Sequence, residues 1–438
     1  MTHRKGLLAV SPVLVLAALL LGLGIAWGDF YKVPLIVVFI ISLIYAVATT
    51  LVGTDRKTIS QVVEIVSRGA GDRNLMLMVW IFLLAGAFAA TAKAMGAIDA
   101  TVQLTLALLP ATMLLPGLFL ASCFVSLSVG TSVGTIVALV PVAAGLAEPT
   151  GLSTALLVAS VVGGAFFGDN LSFISDTTIV ATRTQGIRLV DKFKANVWIA
   201  VPAAVITFVI LLLLGFTSVP PSVDNTLVAA RLADIDYIKV MPYIAVLVLA
   251  VCGLDVMLVL VLGNVLAAIV GLAYGDFDMA VWMAKSAEGM TGMTETILVA
   301  LMAGGMMELI RHNGGIDYII HQLTRRVNGH RGAELAIAAL VSLTNCCTAN
   351  NTVAILSVGK ISAGIAERYG VNRCKSASLL DTFSCVVQGL IPYGAQLLIA
   401  AGLAGITPLE IIPYLTYNVV LALVAIFAIL FRFPHRYS

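Results

Sequence analysis

Charged side chains are scarce in this 438-residue chain: Asp, Glu, Lys and Arg make up 11% of it, against about a quarter in a soluble domain. That shortage excludes an ordinary water-soluble globule. The formal charge is only +2, and no basic tract is interleaved with aromatics, so no nucleic-acid partner is indicated. Six cysteines (Cys123, Cys252, Cys346, Cys347, Cys374, Cys385) are scattered through mostly apolar segments. They show neither a disulfide framework nor a zinc spacing and read as small packing residues, with Cys346 and Cys347 placed beside an expected backbone break. The chain lacks a nucleophile elbow, a His-Glu-x-x-His pair and a phosphate-binding glycine loop, which argues against an enzyme. It also lacks a nucleotide-hydrolysing domain. Work done by this protein then draws on an ion gradient, with transported ions in place of a cofactor.

What the chain has instead is apolar length. It is 60% hydrophobic with a mean hydropathy of +1.05. Apolar runs able to cross a hydrocarbon core of about 30 Å recur throughout, for example 7–27, 31–53, 74–92, 195–216 and 412–431. The expected fold class is an all-α polytopic membrane protein in a lipid bilayer. The first run follows Thr2-His3-Arg4-Lys5 but lacks a clear small-x-small cleavage site, so it is expected to be kept as the first span.

The chain also repeats itself at an offset of about 218 residues. Leu84-Ala85-Gly86-Ala87 falls on Met302-Ala303-Gly304-Gly305, and Gly96-Ala97-Ile98-Asp99 falls on Gly314-Gly315-Ile316-Asp317. Thr131, Thr135, Gly145, Glu148 and Gly151 meet Thr348, Thr352, Gly364, Glu367 and Gly370. Loop charges set the orientation of the two copies, because cytoplasmic loops are rich in Lys and Arg. The basic N-terminal tail, the 186–194 loop (Arg188, Lys192, Lys194), the 311–331 loop (Arg311, Arg325, Arg326, Arg331) and the tail with Arg432 and Arg436 all read as cytoplasmic. Their counterparts at 96–108 and 404–411 carry only Asp99 and Glu410, and the 217–237 connection, with Asp224, Asp234 and Asp236 against Arg231, reads as external. The copies, 1–216 and 217–438, are therefore expected to be inverted repeats in an inner (plasma) membrane with both termini cytoplasmic.

Each copy then needs an odd number of crossings. Spans are expected at 7–27, 31–53, 74–95, 152–185 and 195–216, and at 238–252, 256–274, 294–311, 376–404 and 412–431. Amphipathic stretches at 57–71 and 277–290 are expected to lie along the interface. Residues 110–148 and 332–366 must start and end on one side, so each reads as a re-entrant hairpin. Their tips are polar and built of small residues: 126–135 (SLSVGTSVGT) and 345–352 (NCCTANNT). The spans after them, 152–185 and 376–404, are broken at Gly168-Asp169-Asn170 and at 388–394. Four helix breaks are thus expected to converge at the midplane, where carbonyls, hydroxyls and helix ends can hold a small cation or an anionic group. The competing reading is that these small residues only permit close helix packing.

Ionisable groups at bilayer depth are functional candidates by default. Asp169, Asn170, Ser172, Ser175, Asp176 and Thr177 from the first break, with Ser128 and Thr131 from the first tip, are the candidate cation ligands. Asp169 aligns with Gln388 and Asp176 with Ala395, so the carboxylates belong to the first copy alone. Asp176 is either a second ligand or a partner of Arg183. Asn345, Thr348, Asn350, Asn351, Thr352, Asp381 and Gln388 are the candidate second-repeat or substrate residues. Lys360 is either a counter-ion for a carboxylate or a solvated lysine. Glu308 and Asp255, at span ends, read as solvated.

Gly168-Asp169-Asn170-Leu171-Ser172 followed by Ser175-Asp176-Thr177-Thr178 resembles the Gly-Asp-x-x-Ser-x-x-Ser-Asp-Thr-Thr motif of the NhaC-type sodium/proton antiporter family, within the ion transporter superfamily. The resemblance implies Na+ and H+ exchange, with Asp169 and Asp176 at the Na+ position. The same family name covers carriers that resemble amino-acid and malate or lactate transporters, so an amino acid or small carboxylate is the alternative cargo. The expected mechanism is alternating access to one carboxylate that holds Na+ or protons, never both. A passive channel suits paired helix breaks less well, and a homodimer through the scaffold spans is compatible with the resemblance.

Overall fold

Backbone groups in a bilayer must be satisfied within the chain, which favours helices. The computed structural model describes residues 3–27, 33–52, 57–173, 175–218, 235–325, 327–434 and 437. Ile174, Asp224, Arg231, Asp234, Arg326 and Arg436 lie outside the described residues. Among those described there are twenty helices of ten residues or more and no strand.

The first ten are α1 His3–Trp27, α2 Leu35–Val52, α3 Ile59–Ala70, α4 Arg73–Ala94, α5 Ala97–Leu108, α6 Leu114–Val129, α7 Ser132–Gly145, α8 Thr154–Leu171, α9 Asp176–Gln185 and α10 Leu189–Ser218. The second ten are α11 Tyr237–Val251, α12 Val256–Tyr274, α13 Met279–Gly292, α14 Thr294–His312, α15 Gly315–Thr324, α16 Gly329–Thr348, α17 Asn351–Tyr369, α18 Arg373–Leu390, α19 Ala395–Ala404 and α20 Thr416–Leu430. Caps mark several of the starts. Asp72, Asp236, Asp255 and Asp278 each accept a first-turn N–H, and Thr58 and Gln61 form a capping box.

The outer helices leave apolar faces uncovered. Val205, Val209, Leu213 and Phe216 on α10 and Val419, Leu423, Phe427 and Leu430 on α20 are exposed at helical spacing, a surface stable against hydrocarbon and unstable in water. This is a multi-pass membrane protein: the described residues include nine helical stretches long and apolar enough to cross, and a tenth if the bent pair ending at Leu430 is one span. Within the broken stretches Thr154–Gln185 and Arg373–Ala404 an apolar 18-residue window is 94% and 72% buried, against 28% in Leu189–Ser218, and Asp169, Asn170 and Gln388 at the breaks are themselves buried, so the breaks lie inside the protein.

Pairing between the two sets of ten is reciprocal. Helix α3 packs on α14 and α13 on α4; α1 packs on α15 and α11 on α5; α9 packs on α17 and α19 on α7. Two of these contacts are glycine seams. A Cβ at Gly86 would meet the Gly289 carbonyl at 2.3 Å, and one at Gly69 would meet the Gly304 carbonyl at 2.4 Å, so only glycine permits that approach. Within each set the hairpin grips its broken helix in the same register. Ser122 donates to the Val161 carbonyl, Ser126 to Ala165, Asn345 to Ser384 and Gln388 to Ala349, every bond spanning 39 residues.

Several expectations change. The 96–108 loop is the helix α5, and the 311–331 loop contains α15: at 12 and 10 residues they are too short to cross, yet helical. The 277–290 stretch forms α13, which packs on α4 where Gly86 and Gly289 meet and continues into α14, the two making one 34-residue stretch long and apolar enough to cross. The 57–71 stretch, α3, turns Val62, Ile65 and Gly69 inward and leaves Ile59 and Val63 exposed. The last span is bent by 51° between Pro408–Tyr414 and Thr416–Leu430. Helix α11 has only 15 residues, short for the crossing expected at 238–252, whereas Ala111–Val129, expected as part of a re-entrant hairpin, is long and apolar enough to cross. Length and hydropathy alone do not separate a hairpin arm from a crossing helix.

Candidate ion-binding site

Helix α8 ends at Leu171 and α9 begins at Asp176, so the carbonyls at the end of one and the N–H groups at the start of the other are free of intrahelical partners. Asp169 lies in the last turn of α8 and is 3% exposed. Its Oδ1 accepts the Ser132 N–H at 2.9 Å and its Oδ2 accepts the Ser132 hydroxyl at 2.5 Å. Its carbonyl accepts the hydroxyls of Thr177 at 3.2 Å and Thr178 at 3.4 Å, bridging the break. Among the described residues no basic side chain forms an ion pair with Asp169.

One residue further, Asn170 is wholly buried. Its carbonyl accepts the Lys192 ammonium at 2.6 Å and the Asn196 amide at 2.6 Å, and its Oδ1 accepts Asn196 at 2.6 Å. Asn196 Oδ1 in turn accepts Ser378 at 2.7 Å and Thr382 at 3.1 Å. Lys192 forms a buried ion pair with Asp381 and donates to Thr178 at 2.9 Å. Asp169, Asp381 and Lys192 thus place two carboxyl groups and one ammonium in the protein centre.

Hydrogen bonds connect this centre to the second tip. Ser132 Oγ accepts Gln396 Nε2 at 3.0 Å, Gln396 Oε1 accepts Gln388 Nε2 at 3.0 Å, and Gln388 Nε2 also reaches the Ala349 carbonyl at 3.2 Å. The tip helices are closed by their own breaks: the Leu127 carbonyl accepts Ser172 Oγ at 3.0 Å and the Cys346 carbonyl accepts Tyr393 OH at 2.7 Å. Beside the second tip lies a cavity of about 190 Å³, lined by Thr348, Asn350 and Tyr393 together with Arg68, Asp72, Glu308 and Arg311. The space beside the first tip, between Gly134, Val246 and Val256, is about 10 Å³.

The structure thus brings together Asp169, Asn170, Thr177, Asp381 and Gln388, with Ser175 joined to Thr177 at 2.9 Å. Asp176 is exposed and accepts Thr352 Oγ at 2.7 Å, not Arg183, which is also exposed. Ser128 donates back to its own helix at Phe124, and the Thr131 carbonyl serves Thr135, so neither takes the part that falls to Ser132. At the second tip Asn345 holds Ser384, Thr348 reaches the Asn350 carbonyl at 3.1 Å, Asn350 caps α17 at Val353, and Asn351 accepts the Thr352 N–H. Among the described residues the buried Asn351 Nδ2 and Gln388 Oε1 find no hydrogen-bond partner. Lys360 is exposed, Glu308 pairs with Arg311 at 2.7 Å and Asp255 caps α12.

Sequence reading missed Ser132, Thr178, Lys192, Asn196, Thr382 and Gln396. Lys192 was expected in a cytoplasmic loop; it is 1% exposed instead, because Asp381 and the Asn170 carbonyl offset its desolvation. A signal existed. Lys192, Asn196, Ile199, Ala203 and Thr207 share one face of α10, all buried.

The sequence model described as the Na+/H+ antiporter family matches residues 6–216 and 164–433. The Na(+)/H(+) antiporter NhaC of Alkalihalophilus pseudofirmus is 26% identical over 62% of this chain and 63% of its own length, so the match spans a little under two thirds of that protein. The malate-2H(+)/Na(+)-lactate antiporter of Bacillus subtilis is 22% identical over 79% of both chains. The arginine/ornithine antiporter ArcD of Halobacterium salinarum is 21% identical over 67% of this chain and 66% of its own.

Proposed function

Because the chain belongs to the Na+/H+ antiporter family, we propose that it is a secondary antiporter in which Asp169 binds Na+ and H+ in turn. One observation carries this reading. Asp169 is buried at a helix break, held by two donors of Ser132 and without a basic partner, whereas Asp381 nearby has one. A buried carboxylate is stable there only with a cation or a proton. Since the same oxygens hold one ion or the other, exchange is obligatory.

In this reading residues 1–216 and 217–438 are inverted repeats in the inner (plasma) membrane with cytoplasmic termini. The hairpins and broken helices move against a scaffold and expose Asp169 to each side alternately. The reciprocal helix pairings support two related gates, and the cavity beside the second tip, lined by Arg68 and Arg311, supports a state open toward the cytoplasm.

A second reading is favoured by that cavity. A space of about 190 Å³ beside Thr348, Asn350 and two arginines suits an amino acid or small carboxylate, the cargo that the names of two relatives give for those proteins. Asp169 would then hold the coupling ion. The test is reconstitution into liposomes with an internal pH dye. Na+-driven proton movement without organic substrate, lost in Asp169→Asn, is the expected result; silence until one amino acid or carboxylate is added would move the assignment to the second reading.

A further inference from the structure

The Lys192 ammonium has three protons, and three oxygens of different kinds receive them: the Asp381 carboxylate, the Thr178 hydroxyl at 2.9 Å and the Asn170 main-chain carbonyl at 2.6 Å. This is the donor set of a monovalent cation site. Its carbonyl comes from the C-terminal turn of α8, where the helix dipole presents negative charge. Lys192 and Asp381 are 1% and 0% exposed, so their charges cancel with no help from water. The cluster also adjoins the Asp169 site directly, since Thr178 bonds both Asp381 and the Asp169 carbonyl.

We propose that the protein centre contains two adjacent cation positions, and that Lys192 permanently fills the second with its own ammonium, leaving Asp169 as the single carboxylate open to transported ions. The proposal rests on the reading of Asp169 as the exchanging group and goes beyond it by naming what limits the site to one ion. Lys192 is tethered to α10 and cannot leave, so Asp381 does not exchange its partner during a cycle. Removing the ammonium vacates a ready-made set of oxygens, and a small alkali cation takes its place.

The first test counts bound Na+ in purified protein by equilibrium binding of radioactive Na+. Wild type is expected to bind one Na+ per chain and Asp169→Asn none. Lys192→Ala is expected to bind two, Lys192→Ala with Asp169→Asn to keep one, and Lys192→Ala with Asp381→Asn to return to one. Lys192→Arg keeps the charge and stays at one. If Lys192→Ala binds no additional Na+ because a proton alone neutralises Asp381, the proposal is overturned. Absence of Na+ binding in wild type would instead count against the exchange reading, while comparing Asp169→Asn with and without Lys192→Ala still decides the second position.

Should Lys192→Ala fail to fold, Asp381→Asn provides an independent measurement. It leaves the ammonium unbalanced beside Asp169, so Na+ affinity there is expected to fall by about tenfold or more. Adding Lys192→Met should restore it. Affinity that is unchanged by Asp381→Asn, or not restored in the pair, would assign Lys192 to packing alone.

Discussion

The two hairpin tips share a frame and differ in contents. Each grips its broken helix through bonds spanning 39 residues, and in each a helix-end carbonyl, Leu127 or Cys346, is capped from the break. The first tip holds a carboxylate, Asp169, and is sealed by apolar side chains around a space of about 10 Å³. The second holds amides, Gln388 and Gln396, and borders a cavity of about 190 Å³. The carboxylate that bonds the first tip, Asp169, is buried, whereas the one that meets the second tip, Asp176 at Thr352, is exposed.

The strongest way to break this comparison is to exchange the contents. Asp169→Gln with Gln388→Asp keeps the charge count, yet the displaced carboxylate faces Gln396 and the Ala349 carbonyl, and it loses the two Ser132 donors. Na+-driven proton flux is expected to drop by about 100-fold or more, since each lost charge-assisted bond is worth about 1.5–3 kcal/mol; near-normal flux would show that the tips are equivalent. Next comes accessibility. With native cysteines replaced, Thr348→Cys should react with a thiol reagent through the cavity far faster than Val137→Cys, which lines the small space beside the first tip and is buried, and equal rates would remove the open-versus-sealed distinction.

A smaller effect is expected at Ser132, the link between the tips. Ser132→Ala keeps the N–H bond to Asp169 but loses the hydroxyl that joins it to Gln396, which should weaken apparent Na+ affinity about 5- to 30-fold, or about 1–2 kcal/mol. Unchanged affinity would detach the second tip from the ion site. The smallest contrast is in the backbone. The first tip turns at Gly130 with φ of 75°, the second at Ala349 with φ of 53°, a left-handed conformation that strains a residue with a Cβ. Thermal unfolding should show Ala349→Gly stabilised and Gly130→Ala destabilised, each by about 1 kcal/mol. Equal and negligible shifts would mean that the two turns are equally relaxed.

Much of this was legible in the chain, for physical reasons. A carboxylate inside an apolar run stands out because its desolvation demands a partner, so Asp169 was readable from composition and position alone. Gly and polar residues within spans located the breaks on the same logic. What stayed hidden depends on facing. Ser128 and Thr131 were favoured over Ser132 because composition marks a tip but not which of its hydroxyls turns inward. Lys192 was hidden by its place near a chain turn, where a lysine is usually solvated; Asp381 across the centre, with the Asn170 carbonyl and Thr178 hydroxyl, makes its burial tolerable. The short helices α5 and α15 looked like loops because crossing length, not helicity, governed the reading.

The glycine seams also bear on how the protein is made. Helix α3 finds its packing surface on α14, and α4 receives α13, so neither set of ten helices completes its own scaffold. At a synthesis rate of about 5–20 residues per second, Gly69 emerges roughly 10–50 s before Gly304 can meet it. During that interval the amino-terminal helices sit in the bilayer with an open seam, exposed to quality-control proteases and to seams of other nascent chains. The interlock that steadies the finished protein is, during biogenesis, a pair of faces left uncovered until the later helices are made.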